Sequence, residues 1–349
     1  MVKKAPEMRI AGRTIGPNHP PFVIAEIGIN HEGSVEKAKR MIDDAAASGA
    51  ECVKFQSHVI EDEMVPEAKK TIPGNAKESI WDIMARCALS EEEECELKRY
   101  TESKGMIYLC TPFSRAAADR LHRMKVHAYK IGSGECNNYP LIEHIASFKK
   151  PVILSTGMNT IASIKPAVAI LKKAKVPFAI LHCTNMYPTP YKDVRLGALT
   201  QLQQAFPDAV TGLSCHSLGA YTGFAAVALG GSIVEKHFTS DKSWPGPDVA
   251  ISLDPAELAD LIRGTKAIWE ARGGTKGPAK GEAPTIRFAF ASVVTIALVG
   301  KGEKFSKSNV WVKRPGTGEI KAKDFKGIIG KKARRDVPAD VQLRWRDIA

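Results

Sequence analysis

Residues 210–238 read VTGLSCHSLGA, YTGFAAVALGG and SIVEKHF. A short apolar run ends at Ser214 and His216, a segment of small residues with helical spacing follows, and a second apolar run ends at His237. Two runs that terminate alike, joined by a helical segment, predict two parallel strands whose C-terminal ends present imidazoles to one shared space.

The same unit recurs upstream. Short apolar runs stand at FVIAEIG, CVKFQ, MIYLCTPF, AYKIGSG, PVILSTGM and FAILHCTNMYP, which with the two above make eight. Helix-patterned pieces such as SVEKAKRMIDDAAASG, SRAAADRLHRM and TIASIKPAVAILKKAK lie between them, several opening on Ser, Thr or Asn as caps do. Strand and helix in alternation imply right-handed crossovers and a parallel sheet. Eight units and a closing helix over 255–272 fit an α/β fold of the (β/α)8 TIM barrel type better than an open sheet. Residues 8–20 read as an N-terminal hairpin or arm, and 58–104 as an insertion with its own helix near 79–87.

Composition narrows the function. The 349 residues, 44% hydrophobic, can bury a large core. No apolar run reaches the roughly 18 residues of a membrane span, and the opening MVKKAPEMRIAG lacks the apolar stretch of a signal peptide, so a soluble, cytoplasmic protein without a membrane partner is expected. Seven cysteines with no CxxC pair suggest neither a disulfide framework nor a thiolate zinc site. Of the net charge of +12, most lies in residues 276–349, where 17 Lys or Arg face 7 Asp or Glu. Aromatic residues are too sparse there for a nucleic-acid surface, and small anions suit it better.

The polar residues fall at strand ends: Glu26 with Asn30 and His31, Lys54 with Gln56, Thr111, Lys130 with Ser133 and Glu135, Ser155, Asn185 with Tyr187, Ser214 with His216, and His237. In a barrel those ends form the C-terminal rim, where substrates bind. Each member has a plain structural reading, since most single histidines are packed or solvated and lysines snorkel. Together, two imidazoles on adjacent strands make an open divalent site for Mn, Fe, Co or Zn. Two lysines at the ends of buried strands, costly without an anion, describe with the hydroxyls and Asn185 a phosphate-sized cradle. The glycines of KIGSGE and STGM let backbone amides approach that anion.

The stretches IAEIGINHEGS, VKFQSH, IPGN, CTPFSRAAA, YKIGSGECNNYPLI, ILSTGMN, LHCTNMYPTPYKDVRL, GGSIVEKHFT, PGPDVAISLDP and VWVKRPGTGEI resemble the bacterial sialic acid synthase family from end to end. The resemblance implies a barrel over 21–274, a linker over 275–284 and a small antifreeze-like (SAF, β-clip) domain over 285–349, assembled as a domain-swapped homodimer. It implies a transferase that condenses phosphoenolpyruvate with N-acetylmannosamine, using a divalent metal, commonly manganese, with magnesium, cobalt or zinc as alternatives. The metal would fall to His216 and His237, and phosphoenolpyruvate to Lys54, Thr111, Lys130, Ser133, Ser155, Asn185 and Ser214. The sugar would meet Gln56, Asn75, Tyr187 and Asp248, with Arg314 of KRPG reaching its N-acetyl group from the second subunit. Glu26, Lys54, Lys130 and Glu135 are the catalytic candidates, Glu26 as proton donor to the reacting aldehyde oxygen. A synthase for legionaminic or pseudaminic acid keeps the same reacting groups and changes the sugar pocket; a non-catalytic sugar-phosphate or polyanion-binding barrel is the alternative from another class. Cys215 departs from the family pattern, which often has Asp or Gly there, and reads as a small buried residue.

Overall fold

The computed structural model describes residues 5–74 and 76–349. The chain divides into two compact units, one ending at Gly273 and one spanning Gly274–Ala349.

The first unit is a (β/α)8 barrel. Its strands are β1 (Phe22–Gly28), β2 (Cys52–Ser57), β3 (Ile107–Pro112), β4 (Tyr129–Ile131), β5 (Val152–Ser155), β6 (Phe178–His182), β7 (Val210–Cys215) and β8 (Ile233–His237). All ladders are parallel, in the order β3-β2-β1-β8-β7-β6-β5-β4, so β8 pairs with both β7 and β1. The remaining seam lies between β3 and β4, which run side by side. Intervening helices start where a side chain satisfies an orphan amide: Ser34 accepts from Lys37 N, Ser114 from Ala117 N and Asp254 from Glu257 N. Each such cap contributes about 1 kcal/mol. The closing helix runs Pro255–Ala271.

Alternation along each strand sorts side chains into two cores. On β1, Val23, Ala25 and Ile27 face the helices, whereas Phe22 and Ile24 face the barrel interior. The hairpin of Met8–Ile10 with Arg13–Ile15 packs Met8, Ile10 and Ile15 against that interior cluster, beside Phe22 and Ile233 at the strands' N-terminal ends. One end of the barrel is thus closed by apolar side chains, and polar groups are left to the other. After β2 come the short helices Ile60–Glu63 and Ile80–Cys87, then the helix Glu91–Ser103, which opens on a Ser90/Glu93 capping box.

The second unit is small and β-rich. Ser292–Thr295 pairs antiparallel with Val310–Lys313, and single bridges such as Val299↔Val337 and Ala333↔Ile348 tie its loops around Val293, Phe305, Ile320 and Leu343. In the stretch read as linker, a turn of 3-10 helix at Lys280–Glu282 leads into the helix Ala283–Ala289. Among the described residues, no helix is long and apolar enough to cross a membrane.

Candidate active site

The inward residues of each strand pass from apolar to charged on the way up the barrel. Above Ile24, Leu109 and Ile153 sit Glu26, Lys54, Lys130 and Glu235, none more than 6% exposed. Lys54 Nζ lies 2.8 Å from Glu26 Oε2 and 3.7 Å from Glu235 Oε1. Lys130 Nζ is 3.6 Å from Glu235 Oε1 and donates to Ser155 Oγ at 2.7 Å. Thr111 Oγ1 accepts from Lys54 at 3.0 Å, and Ser214 Oγ donates to Glu235 at 3.1 Å. Two acids alternate with two ammonium groups in a buried layer, where unpaired charges would be prohibitive.

The two acids diverge. Burial drives the Glu26 carboxyl up to about 7, against the pull of Lys54, so it can carry a proton near neutrality. Burial acts on Glu235 too, but Lys130 and Lys54 together overcome it and hold that carboxyl below its ordinary range. For Lys130, burial outweighs the attraction of Glu235 and lowers the ammonium. Paired acids pushed apart by their surroundings are the usual mark of separate roles.

Beside this layer, Ser133, Ser155, Asn185 and Gly157 shape a polar hollow. Gly157 N donates to Ser133 Oγ at 3.0 Å, leaving the Ser133 hydroxyl proton free for another acceptor. A Cβ on Gly157 would sit 1.9 Å from Asn185 Oδ1 and 2.9 Å from Ser133 Oγ, so only glycine fits between them.

Two imidazoles stand over the layer, their centroids 5.4 Å apart. His216 Nδ1 donates to the Thr184 carbonyl at 2.8 Å, which leaves Nε2 with its lone pair. Tyr187 stacks on His216 at 4.1 Å, and Asp248 Oδ2 lies 3.7 Å from His237 Nδ1, a buried nitrogen without a hydrogen-bond partner. Burial lowers His216 to about 4 and takes His237 well below the ordinary histidine range; it raises Asp248 to about 6. Neutral rings, one tautomer fixed and one nitrogen orphaned, fit a divalent cation. Among the described residues no group of three or more His, Cys, Asp or Glu is arranged to hold a metal, so the protein would supply two nitrogens and substrate or water the remaining positions.

One cavity is lined by Glu26, Lys54, Gln56, Thr111, Lys130, Ser133, Ser155, Asn185, Tyr187, Ser214, His216, His237 and Asp248. Other strand-end expectations need correction. Glu135 faces a neighbouring cavity with Asp62, Arg115 and His144, because the 3-10 turn Gly134–Asn137 swings the chain aside and Asn138 Nδ2 donates to its carboxylate at 2.6 Å. Asn30 and His31 do not line the site: a register shift at Glu26/Gly28, with Gly28 at φ +56°, turns the chain outward. There Asn30 Nδ2 ties Phe238 O to Ser252 Oγ and His31 packs on Phe55. Asn75 lies outside the described residues, and Arg314 belongs to the second unit. Cys215 faces away, into an apolar cluster with Leu199, Leu213 and Ala226.

Sequence reading passed over three wall residues: Glu235, Cys183 and Phe113. Glu235 had a signal, since it lies two residues before His237 and therefore on the same side of β8. Cys183 and Phe113 had none, being apolar or weakly polar residues just past strand ends.

Comparison with known proteins finds relatives over nearly the whole chain. The NeuB family matches residues 41–277 and the SAF domain residues 290–349. The N,N'-diacetyllegionaminic acid synthase of Campylobacter jejuni is 37% identical, over 93% of this chain and 98% of its own. Human N-acetylneuraminate-9-phosphate synthase is 35% identical, over 94% of this chain and 93% of its own. The crystal structure of N-acetylneuraminic acid synthetase from Leptospira borgpetersenii, in complex with citrate, aligns with a TM-score of 0.75 at 34% identity, covering 81% of this chain and 95% of that one. The chain belongs to the NeuB family of synthases, enzymes of the transferase type, and carries a SAF domain after its barrel.

Proposed function

We propose that this enzyme is an N-acetylneuraminate synthase, joining phosphoenolpyruvate, N-acetylmannosamine and water to give N-acetylneuraminate and phosphate with C–O cleavage. The observation that carries the reading is the buried layer of Glu26, Lys54, Lys130 and Glu235 directly beneath two neutral imidazoles. Such a layer suits an anion and an electrophile held side by side, which neither an inert barrel nor a simple binding module requires.

Lys54 and Lys130 receive the trianionic phosphoenolpyruvate, with Thr111, Ser133, Ser155, Asn185 and Ser214 as hydrogen-bonding partners. Gln56, Asn75, Tyr187 and Asp248 orient the open-chain sugar so that its aldehyde carbon faces C3 of the enol. A divalent ion, manganese first among the candidates, would be held by His216 and His237 and would supply Lewis-acid polarisation of that aldehyde. Glu26, raised to about 7 by burial, gives its proton to the aldehyde oxygen as C3 forms the new C–C bond. Water then adds at C2, and the tetrahedral adduct loses phosphate, whose charge Lys54 and Lys130 balance. Much of the rate comes from orientation in a pocket with little water. Arg314 completes the sugar site from the second copy of a domain-swapped homodimer.

The similarity to a diacetyllegionaminic acid synthase favours one second reading, a synthase for legionaminic or pseudaminic acid, in which the reacting groups stay and the acylated sugar changes. Incubation with phosphoenolpyruvate, Mn2+ and a panel of acylated amino sugars, with phosphate release and product mass as readouts, separates the two. Strong preference for a 2,4-diacetamido hexose moves the assignment to the second reading; absence of phosphate with every sugar removes both.

A further inference from the structure

A run of buried and half-buried side chains leads from the charged layer to the neighbouring cavity. Glu26 Oε1, the oxygen not engaged by Lys54, accepts from Gln56 Nε2 at 3.2 Å. Gln56 Oε1 accepts from His58 Nε2 at 3.1 Å, and Glu63 Oε2 accepts from His58 Nδ1 at 2.7 Å. Glu63 lines the cavity that holds Asp62, Arg115, Glu135 and His144. The His58 ring, 3% exposed, stacks on Phe113 with centroids 4.8 Å apart and planes 11° from parallel. Phe113 is a wall of both cavities.

This geometry sets directions. A carboxylate and an amide oxygen only accept, so His58 donates through both ring nitrogens. The Gln56 amide then has one orientation, carbonyl toward His58 and NH2 toward Glu26. The reversed amide would require a proton on Glu26 and none on His58 Nε2, so the number of ring N–H groups on His58 separates the two directions. The titratable groups around His58 are Glu63 in contact and, at longer range, Glu94 and His31.

We propose that His58, clamped by Glu63 and stacked on Phe113, is a positioning residue for the reaction: it fixes the direction of the Gln56 amide, and so the group that meets both Glu26 and the sugar. The inference rests on the proposed function for the parts assigned to Glu26 and Gln56. Its hydrogen bonds reach the reactants through Gln56, and a phenyl ring in its place keeps the stack on Phe113, so loss of the hydrogen bond is felt by the sugar and not by phosphoenolpyruvate.

Two measurements test it. In metal-free, substrate-free protein with 15N-labelled histidine, His58, assigned by its disappearance in His58→Phe, should show two slowly exchanging ring N–H signals. Gln56→Met should remove the Nε2–H signal and leave Nδ1–H. A single ring N–H in the wild type, or a Gln56→Met spectrum identical to it, overturns the proposal. In the assay, His58→Phe, which keeps an aromatic ring against Phe113, should lower kcat/KM for the sugar about tenfold with the KM for phosphoenolpyruvate unchanged, as expected for a lost orienting hydrogen bond. An equal change for both substrates, or none, also overturns it. Should His58→Phe not fold, Gln56→Met in the spectroscopic arm still decides, with Glu63→Gln assigning His58 by the shift of its Nδ1–H signal. Should the wild type release no phosphate from any sugar, the reaction assigned above fails, while the N–H count still decides the amide direction.

Discussion

Lys54→Met tests the energetic meaning of the charged layer. Of the two lysines in the layer, Lys54 meets both acids, at 2.8 Å from Glu26 and 3.7 Å from Glu235. Methionine fills most of the volume and removes the charge. Glu235 keeps Lys130 at 3.6 Å and the Ser214 hydroxyl, but Glu26 is left with the Gln56 amide alone. Removing one partner of a buried pair costs about 3–5 kcal/mol. That cost depends on pH, and its sign follows from linkage. Without Lys54 the folded-state pKa of Glu26 climbs above about 7, against 4.5 for the unfolded chain, so the folded protein binds the extra proton and loses stability as pH rises. Wild-type Glu26 already titrates at about 7, so urea unfolding followed by circular dichroism should show a deficit that is nearly constant below pH 7 and grows by about 1.4 kcal/mol per unit above it, larger at pH 8 than at pH 6. Lys54→Met with Glu26→Gln should regain most of the stability and none of the phosphate release. A single variant within about 1 kcal/mol of wild type at pH 8, or a double variant no more stable than the single, would refute the reasoning.

Other outcomes follow from the same geometry. Gly157→Ala should raise the KM for phosphoenolpyruvate by one to two orders of magnitude and lower stability by about 1–3 kcal/mol, because Asn185 Oδ1, 1.9 Å from the new Cβ, must leave the anion hollow; calorimetric titration with phosphoenolpyruvate reads the binding loss directly. His31, lowered to about 4 by burial, stays neutral in the fold while the unfolded chain takes up a proton near 6.5, so stability falls as pH drops from about 6.5 to 4, by about 3 kcal/mol from this residue; His31→Gln should flatten that part of the stability curve. Mixing Arg314→Ala with His237→Ala subunits should restore a fraction of the lost activity through one intact composite site, and mixed dimers without recovery would remove the shared-site reading.

The eight strands were legible because apolar runs of strand length alternate with capped helical patterns, and a parallel sheet buried on both faces leaves that signature in composition. The period of two also places Ser214 with His216, and Glu235 with His237, on one side of β7 and β8. Direction beyond a strand's last residue was not legible. Glu135 and His31 stand as near to strand ends in sequence as Lys54 does, yet a 3-10 turn and a positive-φ glycine carry them out of the pocket, and those dihedrals depend on what surrounds the turn. Partnership was not legible either. Lys130 on β4 and Glu235 on β8 come from opposite sides of the ring and meet at 3.6 Å across its interior. The sequence alone determined which residues point inward along each strand. Only closure of the barrel decided which of them touch, because the strength of a buried charge pair depends on a separation that linear order does not contain.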